Sequence, residues 1–361
     1  MKIGIVTPFD SRNFGNRLQN YALQQVLGEY ADQVVTIKNK PAPPERGKRL
    51  CRRSPLAESV MVNALLGEKR KAAILRFNRD HLEITGKTYW CDRSCTRLRR
   101  QDVCDWYCAG SDQIWNPNLH RDGGFNYLTF APQMRTFSYA ASFGVAGIPE
   151  EKTDAVRKGL NHIRFLSLRE EAGKDLAQTL TGRKDIRVLP DPVLLLTKEQ
   201  WAAVEKPPKK PLPEGYMLTY FLGAVSPGRR QALSLAAEEE KLEILDLMDP
   251  ESPFYAIGPG EFLYLISRAK LVCTDSFHGS AFSFLYGRPL LLFSREGEGS
   301  EMESRMDTLV KTYHLEACQV KENCLRVIPK AADYRMGYDA LERERRRARE
   351  FLEEIFREAA P

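Results

Sequence analysis

The sequence predicts an α/β protein built from two Rossmann-like domains, whose parallel sheets face a central cleft. Three observations predict it. Short apolar runs, typical of buried strands, alternate with helical segments along most of the 361 residues. The segment 206–215 (KPPKKPLPEG) has the prolines and lysines of a linker rather than of a core. The same alternation begins again directly after it, and each half is long enough to bury its own core.

These observations divide the chain into four parts. We predict an N-terminal α/β domain over residues 1–205, the linker 206–215, a C-terminal α/β domain over 216–335 and a C-terminal helix over 336–361. Apolar residues repeat at helical spacing in the last part, so we expect this helix to pack back on the body of the protein. The residues of this stripe are Leu341, Ala348, Phe351, Leu352 and Ile355.

The individual strands and helices follow from the periodicity of apolar residues, taken in chain order. In the N-terminal domain, strands are predicted over 2–7, 34–38, 103–109, 135–141, 163–168 and 187–189, and helices over 17–27, 57–81 and 171–180. In the C-terminal domain, strands are predicted over 216–222, 242–247, 271–273 and 290–293, and helices over 229–240, 261–269, 338–359 and directly after residue 279.

Polar loops follow several of these strands. They cover residues 8–16, 110–117 and 274–280, and Arg169 and Glu170 follow a further strand. In open parallel sheets, ligands bind outside the carboxyl ends of the strands. We therefore expect these loops to meet in one cleft between the domains.

The stretch 271–292 predicts an anion pocket, because a strand and a tight loop lead directly into a helix. Free backbone N–H groups and the positive end of the helix dipole both favour an anion there. Gly279 would let a ligand approach the backbone closely, and His278 can give or take a proton near neutral pH. With Arg169 and Asp112 nearby, the cleft suits a small, multiply charged anion.

Each of these residues also has a structural interpretation. Asn16 and Gln19 could cap and decorate a helix, and Asp112 could form a turn. Arg169 could pair with a neighbouring glutamate, and His278 could be a hydrogen-bonded structural histidine. Their shared position at strand ends favours a ligand site over five independent structural roles.

Composition narrows the class of protein further. The formal net charge of +6 suits an anionic ligand but is too scattered to predict nucleic-acid binding. No apolar stretch approaches the ~20 residues of a membrane span, and the chain runs into a strand without an export signal. We expect a cytoplasmic protein. The basic run 97–100 predicts a solvated face, with peripheral contact at the inner face of a membrane as the alternative. The sequence does not predict the oligomeric state.

Four cysteines have loose zinc-ligand spacing, C-x3-C-x8-C-x3-C. Cys104 and Cys108, however, fall in the predicted strand 103–109, where cysteines act as small apolar residues. We expect reduced thiols and no metal site, with zinc held by Cys91, Cys95, Cys104 and Cys108 as the alternative. The acidic residues form no convincing cluster for a hard cation.

Several motifs occur in order between residues 2 and 309. They are 13–23 (NFGNRLQNYAL), 110–117 (GSDQIWNP), 167–170 (SLRE), 191–192 (DP), 274–279 (TDSFHG) and 304–306 (SRM). This set resembles the motifs of the polysaccharide pyruvyl transferases, and the first two are long enough to be specific. The resemblance implies a GT-B-like fold and transfer of pyruvate from phosphoenolpyruvate to two hydroxyls of a sugar, as a cyclic ketal.

The resemblance also implies partners and roles. The acceptor would be a saccharide of an exopolysaccharide or cell-wall glycan precursor, free or lipid-linked, with phosphoenolpyruvate as co-substrate and no other cofactor. His278 would be the general acid/base and Asp112 would accept a proton from a sugar hydroxyl. Loops 8–16 and 110–117 would face the acceptor, and loop 274–280 the donor. The expected substrate-binding residues are Asn13, Gly15, Asn16, Gln19, Ser111, Gln113, Trp115, Arg169, Ser276, Gly279, Ser280 and Arg305.

One position departs from the family pattern. Members often carry arginine two positions before the histidine, where this chain has Ser276. Arg169 or Arg305 could compensate for the missing charge, or the donor could differ. Two other interpretations stay open: a GT-B-type glycosyltransferase that uses a nucleotide sugar, and a non-catalytic glycan-binding relative. A ribose-binding acidic residue in the C-terminal domain would favour the first, and activity lost on changing His278 would exclude the second.

Overall fold

The described part of the chain covers most of the predicted features. The computed structural model describes residues 1–9, 13–40, 57–90, 97–118, 124–297, 303–320 and 333–357. Residues 10–12 of the first polar loop, and Cys91 and Cys95 of the cysteine motif, lie outside these ranges. Across the described ranges, no helix is both long enough and apolar enough to cross a membrane.

The N-terminal half is organised around a parallel sheet. Its strands are β1 (Lys2–Val6), β2 (Gln33–Thr36), β3 (Asn39–Lys40), β4 (Tyr89–Trp90), β5 (Trp106–Ala109), β6 (Thr136–Ser138), β7 (Ser167–Leu168) and β8 (Arg187–Val188). Its helices are α1 (Phe14–Leu27), α2 (Ala57–His81), α3 (Glu150–His162), α4 (Glu171–Thr181) and α5 (Lys198–Ala202). The main sheet has the order β2-β1-β5-β6, and β3 pairs with β4 and β7 with β8, all parallel.

The C-terminal half repeats this plan. Its strands are β9 (Tyr216–Tyr220), β10 (Glu243–Asp246), β11 (Leu271–Thr274) and β12 (Leu290–Leu292). Its helices are α6 (Pro227–Glu239), α7 (Pro259–Arg268), α8 (Phe277–Leu285), α9 (Glu303–Tyr313) and α10 (Arg335–Arg357). The sheet is parallel, with the order β10-β9-β11-β12.

The two main sheets therefore share one strand order, in which the second strand lies on one side of the first and the later strands lie on the other. This order reverses between β1 and β5, and again between β9 and β11. Such a reversal opens a crevice at the carboxyl ends of the two strands, where ligands of open parallel sheets bind. The predicted fold class, α/β with two Rossmann-like parallel sheets facing a cleft, is confirmed.

Two of the predicted loops are partly helical, which corrects the sequence-based bounds. Helix α1 begins at Phe14 because the side chain of Asn13 accepts a hydrogen bond from the backbone N–H of Asn16 (3.1 Å). Helix α8 begins at Phe277 because the Ser276 hydroxyl accepts one from the N–H of Gly279 (3.4 Å). Residues 14–16 and 277–280 thus form first helical turns, not loops.

Several predicted strands are shorter than expected. Strand β5 begins at Trp106 rather than at residue 103, because a 3-10 turn over Arg100–Asp102 precedes it and Val103 is exposed. Strand β6 ends at Ser138, shortly before Ala140, whose φ of 45° leaves the extended region. The apolar run in the sequence is longer than the segment that forms sheet hydrogen bonds. A strand predicted from the apolar run is therefore too long.

The two halves share one apolar core. The ring of Phe14 lies 5.0 Å from that of Phe262 and 6.0 Å from that of Tyr220, and the ring of Trp201 lies 5.0 Å from that of Phe282. All five side chains are buried in the same cluster. The first turn of α1 is thereby fixed against the C-terminal half.

Helix α10 contacts both halves of the molecule, and its apolar stripe is buried. Arg345 donates from Nε to the carbonyl of Leu194 (2.9 Å) and from Nη2 to that of Leu196 (2.8 Å). The ring of Phe356 meets those of Trp106 and Phe137 edge-on. The bounds of the domains themselves stay a prediction.

Candidate active site

The first turns of α1 and α8 meet at the boundary between the halves. A Cβ atom on Gly15 would lie 2.1 Å from Nδ1 of His278, so only glycine lets the imidazole lie against α1. Both helices direct their free N–H groups and positive dipole ends into this region. Two residues that the sequence places 263 positions apart are therefore in direct contact.

Asp191 lies at the centre of a buried charged cluster. Its Oδ2 lies 2.8 Å from Nη2 of Arg169, in an ion pair, and 3.5 Å from Nε2 of His278. The hydroxyl of Ser111 lies 3.3 Å from the same oxygen and accepts from Arg169. Burial would raise the pKa of this carboxyl, but the charges of Arg169 and His278 lower it below its ordinary value.

Arg169 has bonding capacity that the described residues do not use. Its Nε and Nη1 are buried, and neither has a hydrogen-bond partner among the described residues. The guanidinium carbon lies 5.0 Å from the ring centroid of Phe277, on the first turn of α8. Buried N–H groups of a cation are seldom left unpaired, so this arrangement favours an anionic ligand.

Asp112 adds a second carboxylate from the turn after β5. Its φ of 77° lies in the left-handed region, which aspartate tolerates better than most residues. Its Oδ2 accepts from Nδ2 of Asn16 (2.7 Å), and its Oδ1 lies 3.6 Å from Nη1 of Arg305. Burial alone would raise the pKa of Asp112, but Arg169, His278, Arg305 and the bond from Asn16 outweigh burial and lower it to about 2.

Arg305 and Glu170 complete the cluster. Burial and the nearby Arg169 lower the pKa of Arg305 to about 10, against the opposing effect of Asp112, so the side chain is charged at neutral pH. Glu170 accepts hydrogen bonds from the Ser142 hydroxyl (2.9 Å) and from a neighbouring backbone N–H. Burial raises the pKa of Glu170, although both arginines oppose this.

The structure thus brings together several predicted site residues at one edge: Gly15, Asn16, Ser111, Asp112, Arg169, His278 and Arg305. Others support them from behind. Asn13 and Ser276 cap the two helices. Gln19 donates from Nε2 to the Thr7 hydroxyl (3.0 Å) and to the carbonyl of Asn16 (3.0 Å).

Four predicted residues have contacts away from this cluster. A Cβ on Gly279 would lie 2.8 Å from Oγ1 of Thr274, so this glycine serves helix–strand packing. The Ser280 hydroxyl donates to the carbonyl of Ser276 in its own helix (2.8 Å). The Gln113 side chain accepts from Nδ2 of Asn116 (3.1 Å), although its backbone N–H donates to Oδ1 of Asp112 (2.9 Å).

Trp115, the fourth, lies in the N-terminal core. Its ring stacks on that of Tyr127, with centroids 5.5 Å apart, and its Nε1 donates to the carbonyl of Asn126 (3.0 Å). Both rings line a cavity of about 290 Å³ beside α3. Lys152 and His162 of α3 also line this cavity.

Sequence reasoning missed two charged residues. Asp191 was visible only as part of the Asp-Pro pair 191–192, and its position after β8 was the one signal that could have found it. Arg295 follows β12, and its Nε lies 3.5 Å from Oδ2 of Asp275.

Carboxylates accept hydrogen bonds from the backbone N–H groups of the turn after β9. Asp275 accepts from the N–H groups of Leu222 (2.7 Å) and Gly223 (2.8 Å). Glu296 accepts from the N–H of Ser226 (2.8 Å), which caps α6. The turn after the first strand of this sheet is therefore already supplied with negative charge.

A metal site has no support in the described residues. Cys104 and Cys108 are buried, and burial raises the pKa of the Cys104 thiol to about 11 and that of the Cys108 thiol well above its ordinary value. Within those residues, no group of three or more His, Cys, Asp or Glu side chains is placed to hold a metal ion. The zinc alternative also involves Cys91 and Cys95, which lie outside them.

The two parallel sheets and the charged cluster between them define an α/β protein with a candidate anion site in its cleft. The family model described as polysaccharide pyruvyl transferase matches residues 13–297. Because this match covers most of the chain, the protein belongs to that family, a family of transferases with saccharide acceptors. The resemblance seen in the motifs is confirmed.

Several solved structures are similar to this chain. A protein described as UDP-N-acetylglucosamine 2-epimerase from Listeria monocytogenes is 12% identical, with 99% of this chain and 97% of that chain covered and a TM-score of 0.49. UDP-GlcNAc 2-epimerase from Neisseria meningitidis bound to UDP-GlcNAc is 12% identical, with 98% of this chain and 99% of that chain covered and a TM-score of 0.45. E. coli heptosyltransferase WaaC with ADP is 12% identical, with 98% of this chain and 100% of that chain covered and a TM-score of 0.35. These likenesses are too distant to carry an inference about ligand or reaction. No curated protein matches the chain in sequence at a significant level.

Proposed function

We propose that this protein transfers pyruvate from phosphoenolpyruvate to two hydroxyls of one sugar in an exopolysaccharide or cell-wall glycan precursor, giving a cyclic ketal. The observation that carries the proposal is the pair of buried N–H groups on Arg169, Nε and Nη1, that lack a partner among the described residues. Phosphoenolpyruvate bears a phosphate and a carboxylate. Arg169, Arg305 and the N–H groups of two helix first turns suit such a donor.

The proposed reaction begins with a proton transfer to carbon. His278 protonates the methylene carbon of the donor, which leaves an oxocarbenium-like centre at C2, and a sugar hydroxyl adds there and loses its proton. Phosphate then leaves with the electron pair of its C2–O bond. The second hydroxyl attacks C2 and loses its proton, which closes the ketal. The products are one ketal and one inorganic phosphate, and no cofactor takes part.

Asp112 has a different role in this proposal from the one its position first suggested. A carboxylate with a pKa of about 2 is a weak proton acceptor near neutral pH. It is better suited to balance the charges of Arg169 and Arg305 and, through Asn16, to fix the first turn of α1. We therefore assign it an electrostatic role and assign the proton transfers to His278.

The nucleotide-sugar alternative is disfavoured by the turn after β9. In Rossmann-like domains, this turn binds phosphate through free backbone N–H groups and a helix N-terminus. Here Asp275 and Glu296 already accept from Leu222, Gly223 and Ser226. A nucleotide phosphate would meet two carboxylates there in place of free donors.

The test is incubation of the protein with phosphoenolpyruvate and a panel of free and lipid-linked saccharides. We expect release of phosphate together with a new ketal methyl signal in the NMR spectrum of one acceptor. His278→Ala should abolish both. His314→Asn is the matched control, because His314 is exposed and its φ of 55° suits asparagine.

Two outcomes would contradict the proposal. Transfer from a nucleotide sugar, without phosphate release from phosphoenolpyruvate, would establish the glycosyltransferase alternative. Saccharide binding with no turnover in either assay would establish the glycan-binding alternative. Substantial activity left in His278→Ala would exclude His278 as the general acid/base, but would not contradict the proposed reaction.

A further inference from the structure

The imidazole of His278 is held by contacts from both halves of the molecule. Gly15 lies against its Nδ1 side, and Oδ2 of Asp191 lies 3.5 Å from Nε2, an ion-pair distance at which no hydrogen bond is formed in this structure. The ring of Phe277 meets it edge-on, with centroids 5.3 Å apart. Gly15 and Asp191 belong to the N-terminal half, whereas His278 belongs to the C-terminal half. The orientation of the ring thus depends on residues that the C-terminal half does not contain.

Asp191 is itself fixed in place. Its Oδ1 accepts from the N–H of Val193 (2.9 Å) and caps the 3-10 turn Pro192–Leu194. Two other elements hold that turn: Nε1 of Trp201 donates to the carbonyl of Val193 (3.1 Å), and Arg345 donates to that of Leu194. The Asp191 side chain is fully buried. A carboxylate held this firmly can set the orientation of a neighbouring ring.

We propose that Asp191 is a positioning residue for His278, which keeps the proton of the neutral imidazole on Nε2 and leaves Nδ1 to exchange a proton with the donor. The role of Nδ1 in the reaction rests on the proposed function. The position of the proton on Nε2 does not depend on it. In the proton transfer, the Nδ1–H bond of the imidazolium breaks as the C–H bond of the donor methyl forms. The enol π electrons form that bond, and the ring becomes the neutral Nε2–H form. Asp191 stabilises the imidazolium and stays ionised.

A purely structural role for Asp191 makes a different prediction. Its shorter contact is with Arg169 (2.8 Å, against 3.5 Å to His278). If Asp191 served only to hold Arg169, its loss would weaken binding of the anionic donor and would raise KM. A positioning role acts on the proton transfer instead, and lowers kcat. The two roles can therefore be separated by measurement.

The first measurement needs no substrate. Long-range proton–nitrogen correlation spectra of protein labelled with nitrogen-15 histidine report which ring nitrogen carries the proton. The chain has five histidines, and the spectrum of His278→Gln identifies the signal of interest. We expect the Nε2–H tautomer for neutral His278 in the wild-type protein. The Nδ1–H tautomer there would overturn the proposal, whatever any variant does.

The second measurement compares Asp191→Asn with Asp249→Asn. Asp249 is the matched control because its Oδ1 also accepts from a backbone N–H two residues on, that of Glu251 (2.9 Å), on an exposed turn. We expect Asp191→Asn to lower kcat for phosphate release by about 100-fold or more. KM for phosphoenolpyruvate should change by less than roughly threefold. The control should match the wild type.

Outcomes of the two measurements separate this inference from the proposed function. A kcat within roughly threefold of wild type in a folded Asp191→Asn would overturn the positioning role, as would a loss confined to KM. If no saccharide gives release of phosphate from phosphoenolpyruvate, but the wild-type ring is the Nε2–H tautomer and Asp191→Asn shifts it, the positioning by Asp191 stands and the proposed function falls.

Discussion

At the scale of single residues, the clearest feature is the ionisation of Asp112. It occupies a left-handed backbone position, which asparagine also tolerates. Its pKa is lowered from 3.8 to about 2 by the surrounding positive charges and by Asn16, against the effect of burial. A carboxyl with a depressed pKa stabilises the folded state only while it is ionised.

This predicts a pH dependence of stability. Above pH 3.8 the contribution of Asp112 is fully present, and it is lost as the pH falls from about 4 through about 2. From the shift in pKa, the loss should amount to roughly 2 kcal/mol. Urea unfolding of wild type and Asp112→Asn at several pH values tests this, and the stability of the variant should fall less over that range.

The control is Asp154→Asn, which removes an exposed carboxyl from a surface ion pair with Arg157. Its unfolding free energy should follow the wild-type curve. Parallel curves for wild type and Asp112→Asn would contradict the assignment.

The residues of the site could be predicted in part. His278, Arg169 and Asp112 were recognisable because they follow strands of a parallel sheet, whose carboxyl ends meet at one edge. Trp115 lies away from the cluster and Asp191 was not predicted to lie in it, because a strand end fixes where the backbone goes but not which way each side chain turns. The direction of a side chain depends on neighbours from distant elements, such as the Tyr127 ring and Arg169.

At the scale of elements, the site depends on two helices that begin earlier than apolar periodicity indicates. Asn13 and Ser276, which cap these helices, are of residue types that commonly do so, yet the first turns that follow them carry polar residues and were predicted as loops. The apolar periodicity of α1 and α8 begins only after these turns. Capping chemistry is therefore a better guide to the start of these helices than the apolar pattern.

The close approach of α1 and α8 predicts the effect of Gly15→Ala. The added methyl group would collide with the imidazole of His278 and displace it, so we expect activity to fall by about 100-fold, as misplacement of a catalytic group does. Phosphate release is the assay, with the melting temperature as a check on folding. Gly67→Ala is the control, because Gly67 is also helical and a Cβ there meets nothing within 4 Å.

Wild-type activity in Gly15→Ala would show that the imidazole can move without effect, and would exclude His278 in its observed position from the reaction. A fall in Gly67→Ala of similar size would point to a general effect of alanine in helices.

At the scale of the whole molecule, the shared core makes the two halves one folding unit. The sequence predicted the two sheets well, since the linker composition and the restart of the alternation are local signals. It could not predict that Phe14 packs on Phe262, because contacts between sequence-distant apolar residues leave no local pattern.

The shared core predicts a single thermal transition. Phe262 lies at the boundary of the halves, whereas Phe293 lies in a separate cluster of the C-terminal half, against Phe221. Phe262→Ala and Phe293→Ala should each lower the free energy of unfolding by about 3–5 kcal/mol. Each should also lower the temperature of one common transition in calorimetry. Two transitions, only one of which moves in Phe293→Ala, would show that the halves unfold independently.

The hydrogen bonds from Arg345 to the carbonyls of Leu194 and Leu196 have a consequence for synthesis of the chain. The turn that begins at Asp191 lacks these two hydrogen bonds on the ribosome until about 150 more residues have been added. A nascent chain can thus fold much of its first sheet before the turn that carries Asp191 is fully held. The support of this turn is complete only when α10, far downstream in the chain, docks on it.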